Sequence, residues 1–239
     1  EIVGSDIKDD CSFDLNQSFK NQKIDEKDFI NIKIGWLSDM NTYYKIENKI
    51  LDICEKQLKK LEDLNIKIEK LKPDFDHDAL WSSWIVFRSK SIYEDTLAMN
   101  IKDINTMTYQ AIWEYNNGKN ISDKDLQIAK DQKNKCYEQI ENIFKNFDFL
   151  ALPSAQIFPF DKNLQFPKKI NTYHRWLEVF ILSSLLELPT ITVPVGFDEK
   201  GIPMGMQIIG KKKSDLKLFA FAKKYEEIFN FSKFKPLLD

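Results

Sequence analysis

Between Asn31 and Leu71 the apolar positions change their spacing twice, and each change predicts an element. Ile32, Ile34 and Trp36 alternate with Lys33 and Gly35, the period-two pattern of a short strand. Ile46, Ile50, Ile53, Cys54, Leu58, Leu61 and Leu64 then recur at steps of three and four, which draws one apolar stripe along a helix. Ile66, Ile68 and Leu71 form a second strand pattern, ended by Pro73. A strand, helix, strand order predicts two parallel neighbouring strands joined by a right-handed crossover.

From Asp76 to Phe147 Gly118 is the only breaker, and the pattern predicts three helices. Asp76 or Asp78 is placed to cap the first, and Ser122 with Asp125 three residues on resembles a capping box for the last. The final third alternates again. Phe149 to Leu152 is an uninterrupted apolar run stopped by Pro153, a buried strand; Thr172 to Leu188 reads as a helix apolar on most sides. Thr190 to Val193 and Met204 to Ile209 are strand patterns joined through Asp198-Glu199-Lys200-Gly201, which predicts a hairpin. Ser214 is placed to cap a last helix that buries Leu218, Phe221, Ala222, Tyr225 and Phe229. Together these elements predict an α/β fold: a mixed, mostly parallel sheet flanked by helices, in one domain over residues 1–239 with a helical insertion at about 76–147.

Composition narrows the function classes. Thirty-five basic residues against 37 acidic ones leave a formal charge of −2, so no basic field for nucleic acid or an acidic membrane is expected. No run of about 18 apolar residues occurs, which argues against a membrane span. Cys11, Cys54 and Cys136 are odd in number and lack metal-site spacing, which suits a reducing cytoplasm rather than a disulfide framework. The start, Glu1-Ile2-Val3-Gly4-Ser5-Asp6, has neither methionine nor leader pattern and reads as cut from something longer. Arg88 and Arg175 are the only guanidinium groups, so they carry more information than any lysine.

Several constellations fail as catalytic centres. Ser82-Ser83 and Ser183-Ser184 sit in helical stretches with no glycine beside them, where no oxyanion amides are available, so helix packing explains them. Cys54 lies on the buried stripe of its helix, and Asp74, Asp76, His77 and Asp78 fit helix capping better than a metal site. Gly201 to Met206 lacks the Lys-Ser/Thr of a phosphate loop, so no cofactor is expected. Tyr173-His174-Arg175-Trp176-Leu177-Glu178 admits two readings: a local ion pair between Arg175 and Glu178, or a ligand-facing segment near the sheet ends.

Four segments in order resemble the C-terminal part of the amidase-signature family: Phe149 to Ala155, Thr172 to Val179, Leu188 to Phe197 and Gly201 to Gly210. Upstream, Lys33 to Trp36 and Pro73 to Trp81 are similar to the same proteins more softly. The resemblance implies hydrolysis of a carboxamide by a serine nucleophile, a bridging serine on a cis peptide and a lysine base. None of those three has a counterpart here, since no glycine- and serine-rich run is present. The expectation is therefore a C-terminal half whose partner is the missing N-terminal half of the same enzyme, acting on a small carboxamide, with a homodimer also expected of its cut surface. Within that resemblance Tyr173, His174 and Trp176 line the substrate pocket, and Arg175 and Glu178 orient it. Two alternatives stay open: the A subunit of a glutamyl-tRNA(Gln)/aspartyl-tRNA(Asn) amidotransferase, and a non-catalytic binding or scaffold domain.

Overall fold

A computed structural model describes residues 4–8, 12–14, 25–164, 167 and 175–235. The chain gathers into two compact units, residues 1–73, 143–159 and 187–239 in the first and 74–142 and 160–186 in the second.

The first unit is built on one five-stranded sheet among the described residues: β1 (Lys33–Trp36), β2 (Lys67–Lys70), β3 (Phe149–Pro153), β4 (Thr190–Phe197) and β5 (Pro203–Gly210), in the order β2-β1-β3-β5-β4. β1 pairs in parallel with both β2 and β3, whereas β5 runs antiparallel to both β3 and β4. The sheet is mixed as expected, with its pairings divided evenly between the two senses. The predicted β-α-β unit is present, and its helix α2 (Asn48–Asp63) packs Ile50, Cys54, Leu58 and Leu61 into the core with Ile34, Trp36, Phe149, Val193 and Met206. Full burial of each such aliphatic side chain contributes roughly 1.5–3 kcal/mol, so the stripe, not helix propensity, fixes α2 here. A short helix α1 (Glu26–Ile30) adds Phe29, which stacks on Phe221 at 5.5 Å.

The β4–β5 hairpin closes as predicted. Asp198 Oδ1 accepts the amides of Lys200 and Ile202, both at 2.8 Å, and Gly201 takes φ +80°. Pro194 and Gly196 bracket a register shift in β4, a bulge that a proline without an amide donor suits on an outer strand. The carbonyl of Pro194 accepts the hydroxyl of Tyr225 at 2.7 Å, from the last helix of the unit. Burial pushes that phenol above its ordinary range.

The second unit carries the three expected helices: α3 (His77–Ala98), α4 (Tyr109–Gly118) and α5 (Asp123–Ile143). Asp76 caps α3 through the Ala79 amide at 2.9 Å, and three hydrogen bonds join Ser122 and Asp125 at the head of α5. Two expectations need correction. Residues 175–185 are not one α-helix: Arg175–Phe180 is a 3-10 helix and only Ile181–Leu185, α6, is α-helical. The tighter winding eclipses positions three apart, which is the spacing of Arg175 and Glu178. Ser183 is buried within α6, but Ser184 is exposed. In the first unit Ser214 occupies the N-cap of α7 (Asp215–Phe229) yet forms no side-chain cap, because its hydroxyl donates to the Lys211 carbonyl at 2.6 Å. The buried face of α7 is otherwise as expected, with Leu218, Phe221 and Tyr225 enclosed and Ala222 and Phe229 partly so. No described helix is long and apolar enough to cross a membrane.

Helices α3 and α4 approach closely at Gly118, where a Cβ would stand 2.0 Å from the carbonyl oxygen of Ser89. Asn117 Nδ2 also donates to Ser89 Oγ at 2.9 Å, fixing that register. Alanine gains roughly 1 kcal/mol of helix propensity over glycine, while forcing a backbone carbonyl aside costs roughly 1–3 kcal/mol. Gly118→Ala is therefore expected to destabilise by up to about 2 kcal/mol net, read as a lowered urea midpoint at unchanged slope; a midpoint above the parent value would contradict this packing.

Candidate functional site

In the second unit Trp81 and Trp84 stand one turn apart on α3, with ring centroids 6.0 Å apart. Each carries one of the two arginines. The Arg175 guanidinium lies over Trp81 at 3.8 Å, and that of Arg88 over Trp84 at 5.5 Å. Each arginine also meets a carboxylate that is otherwise enclosed: Arg175 Nη1 donates to Glu178 Oε1 at 2.5 Å, and Arg88 Nε donates to Glu114. The Glu178 side chain is 7% exposed and that of Arg175 30%, so water reaches the cation and hardly reaches the anion. Two arginine-tryptophan-glutamate sandwiches thus sit side by side on one helix.

The physics of the pair decides its role. A carboxylate taken out of water costs several kcal/mol unless a cation and hydrogen bonds accompany it. Arg175 supplies both to Glu178 and adds a partly solvated cation–π contact worth roughly 0.5–1 kcal/mol. Its charge is thereby matched within the protein. The next residue, Trp176, meets Phe160 edge to face at 5.4 Å, and its indole Nε1 is buried with no hydrogen-bond partner among the described residues. A buried indole donor is costly to leave unpaired.

Of the five residues singled out from the sequence, Arg175, Trp176 and Glu178 are brought together on the 3-10 helix. Tyr173 and His174 lie outside the described residues. Trp81, Trp84 and Phe160 were not foreseen; the WSSW spacing was the available signal, since three residues apart on a helix places both rings on one side.

The serines of that motif serve packing. Ser82 and Ser83 donate to the carbonyls of Asp78 and Ala79 at 2.7 and 2.8 Å, and Ser83 also bonds Gln132 of α5 at 2.8 Å. Ser183 bonds back to Phe180 at 3.3 Å. Burial pushes the thiols of Cys54 and Cys136 up to about 12. Neither thiol has the electropositive, accessible surroundings that a nucleophile needs. Among the described residues no three His, Cys, Asp or Glu side chains gather as a metal site.

With this architecture in view, the whole-chain comparisons define the class. Residues 1–219 match the Amidase family, and the chain belongs to it. It is similar to the A subunit of glutamyl-tRNA(Gln) amidotransferase from Borreliella burgdorferi, 31% identical over 91 residues, which is 38% of this chain and 19% of that protein. The corresponding amidotransferase protein from Sulfolobus acidocaldarius is 23% identical over 255 residues, covering 95% of this chain and 52% of its own length. In structure, a bacterial aryl acylamidase of the amidase-signature enzymes superposes with a TM-score of 0.83 at 18% identity, across 98% of this chain and 52% of that one, a likeness of fold alone. The chain thus spans about half the length of the Sulfolobus relative and of the aryl acylamidase, and a fifth of the Borreliella one.

Two measurements follow. Arg175→Ala removes a charge-assisted hydrogen bond from the buried Glu178 and is expected to destabilise by about 1–3 kcal/mol, less than a fully buried pair because the cation is partly solvated, and Arg175→Lys should recover less than half, since an ammonium does not stack on Trp81 as a guanidinium does; full recovery by lysine in a urea melt would contradict the stacked geometry. For thiols near 12 the thiolate fraction at pH 8 is roughly one in ten thousand, so a thiol reagent should modify Cys54 and Cys136 only on unfolding, and peptide mapping that finds either modified in the native protein would contradict their placement.

Proposed function

We propose that these 239 residues form the C-terminal half of an amidase that hydrolyses the C–N bond of a small carboxamide, with the serine nucleophile, the bridging serine and the lysine base supplied by polypeptide outside them. The observation that carries this reading is the family match over residues 1–219 against relatives about twice as long, in a chain whose α3 serines are spent on backbone carbonyls. Amide cleavage needs an attacking oxygen, a base to take its proton and backbone donors for the developing oxyanion. The helix interior around Ser82 and Ser83 offers none of these, because its amides are already bonded within α3.

What this half contributes is a wall. Trp176, with Tyr173 and His174 beside it in sequence, lines the substrate pocket, and the Arg175–Glu178 pair holds the segment in place. A guanidinium already matched by a carboxylate does not demand an anionic ligand, which favours a neutral amide over a charged one. Residues 1–239 act as one part of a single catalytic fold, in a reducing cytoplasm that suits the unpaired, enclosed Cys54 and Cys136.

A second reading is favoured by the names of the relatives: the A subunit of a glutamyl-tRNA(Gln) amidotransferase.

The test is reconstitution. Co-expression with the upstream polypeptide of the same gene should yield amide hydrolysis, and Trp176→Ala in that complex should raise KM by about tenfold, the loss of one substrate hydrogen bond, with a smaller change in kcat. Turnover that stays unchanged in the Trp176→Ala complex would remove this segment from the pocket. Activity that appears only with charged tRNA and glutamine would establish the second reading instead.

A further inference from the structure

Among the described residues nine other than glycine hold a left-handed backbone, and five of them have an ordinary reason. Asn65, Asn100, Glu187 and Asn230 stand just past the ends of α2, α3, α6 and α7, where one left-handed residue closes a helix, and Lys213 stands in the turn that leads into α7. The other four, Ser38, Met40, Asn41 and Thr42, crowd into one loop that no helix end explains, at φ 54°, 51°, 59° and 69°. Asparagine tolerates this region, but a β-branched threonine does not.

Strain of this kind persists only where surrounding contacts enforce it, and it gathers at ligand-binding sites. The contacts here are plain. Leu37 extends the pairing of β1 with β3, its amide on the Ala151 carbonyl at 3.0 Å, and the amides of Met40 and Tyr44 donate to the carbonyls of Leu37 and Asp39 at 2.9 and 3.0 Å. Leu37, Met40 and Tyr44 are enclosed. Three anchored side chains thus fix the turns, and the left-handed residues are what that geometry leaves between them.

The loop also stands where ligands of open α/β sheets bind, outside the carboxyl ends of the strands. It leaves the carboxyl end of β1, and the segment after β3 leaves the same end of the sheet because the two strands run in parallel. The Glu47 amide ties them together by donating to the Gln156 carbonyl at 2.8 Å. The amino end of the same strands is closed by ordinary structure: Asp148 accepts the Lys33 amide at 2.8 Å and pairs with Lys217. Tyr43 is the aromatic residue that the loop leaves half-buried; its amide donates to the Met40 carbonyl at 3.3 Å and its ring meets that of enclosed Tyr44 at 5.5 Å.

We propose that the Leu37–Tyr44 loop is a substrate-binding element of the first unit, in which the strained turn holds Tyr43 against the group that flanks the carboxamide. A phenol ring is flat and uncharged, so the group it selects is flat and apolar, an aryl amide in preference to a small alkyl one. The assignment rests on the amidase reading above and adds the residue that sets which carboxamide is taken.

The experiment is steady-state hydrolysis of benzamide and of propionamide by this chain completed with its upstream polypeptide. Tyr43→Ala should raise KM for benzamide about tenfold, with kcat and the KM for propionamide within about twofold of the parent, and Tyr43→Phe should restore most of the loss. Thr42→Gly frees a strained position, so it should raise the urea midpoint of this chain and lower kcat/KM for benzamide about fivefold, because the ring is no longer held. Asn65→Gly, at a left-handed residue on the amino side of β2, should leave kcat/KM at the parent value. Parent KM values for both amides in an active Tyr43→Ala complex would overturn the loop assignment and leave the amidase reading intact. Equal loss on the two amides would make the ring structural and overturn it too. Activity on a wider carboxamide panel with benzamide refused would overturn the aryl preference alone, whereas a parent complex inert toward the whole panel would sink both readings together.

Discussion

Everything in the first unit depends on the enclosure of β3. All five of its residues, Phe149 to Pro153, are buried, so neither face of the strand can be given to water. A strand buried on both faces must satisfy its whole backbone within the sheet. β3 does so by pairing in parallel with β1 on one side and antiparallel with β5 on the other. That single strand joins the crossover-built half of the sheet to the hairpin-built half. Even past the last pair the ladder continues, with the Ser154 amide on Gly205 and the Gln207 side chain on the Pro153 carbonyl.

The second unit solves a different problem. Two carboxylates, Glu114 and Glu178, are drawn out of water, and each would be destabilising alone. Each is matched by an arginine that also lies on a tryptophan of α3. Only arginine can stack flat and donate from its edge at once, which accounts for where the two guanidinium groups of a lysine-rich chain are used. The result is a rigid, aromatic and charge-balanced surface.

How much of this was legible depended on whether the information was local. The β-α-β unit, the hairpin at Asp198 to Gly201 and the buried faces of α2 and α7 are written in spacing and turn residues, and they appear as read. Gln57 was not readable: it sits on the apolar side of α2, wholly enclosed, though its side chain is polar. The 3-10 winding at Arg175 was hidden for the same kind of reason, because an apolar run reports burial and not pitch. Pairing of Arg175 with Glu178 followed from a separation of three residues, but its stacking on Trp81 joins positions 94 apart and had no local signature. Ser214 shows the limit of capping rules, since a nearer carbonyl captured its hydroxyl. The amidase likeness was visible after Phe149 because several short motifs stand there in order, and the family match extends it over residues 1–219.

The central claim is that this chain holds the wall of an amide-cleaving site and not its attacking group. The most direct measurement is treatment of the folded 239-residue protein with a fluorophosphonate, which bonds covalently to activated serines, followed by intact-mass and peptide analysis. No adduct is expected on Ser82, Ser83, Ser183 or Ser184 after prolonged exposure. Stoichiometric labelling of any serine in this chain, abolished by unfolding, would show an activated nucleophile here and contradict it.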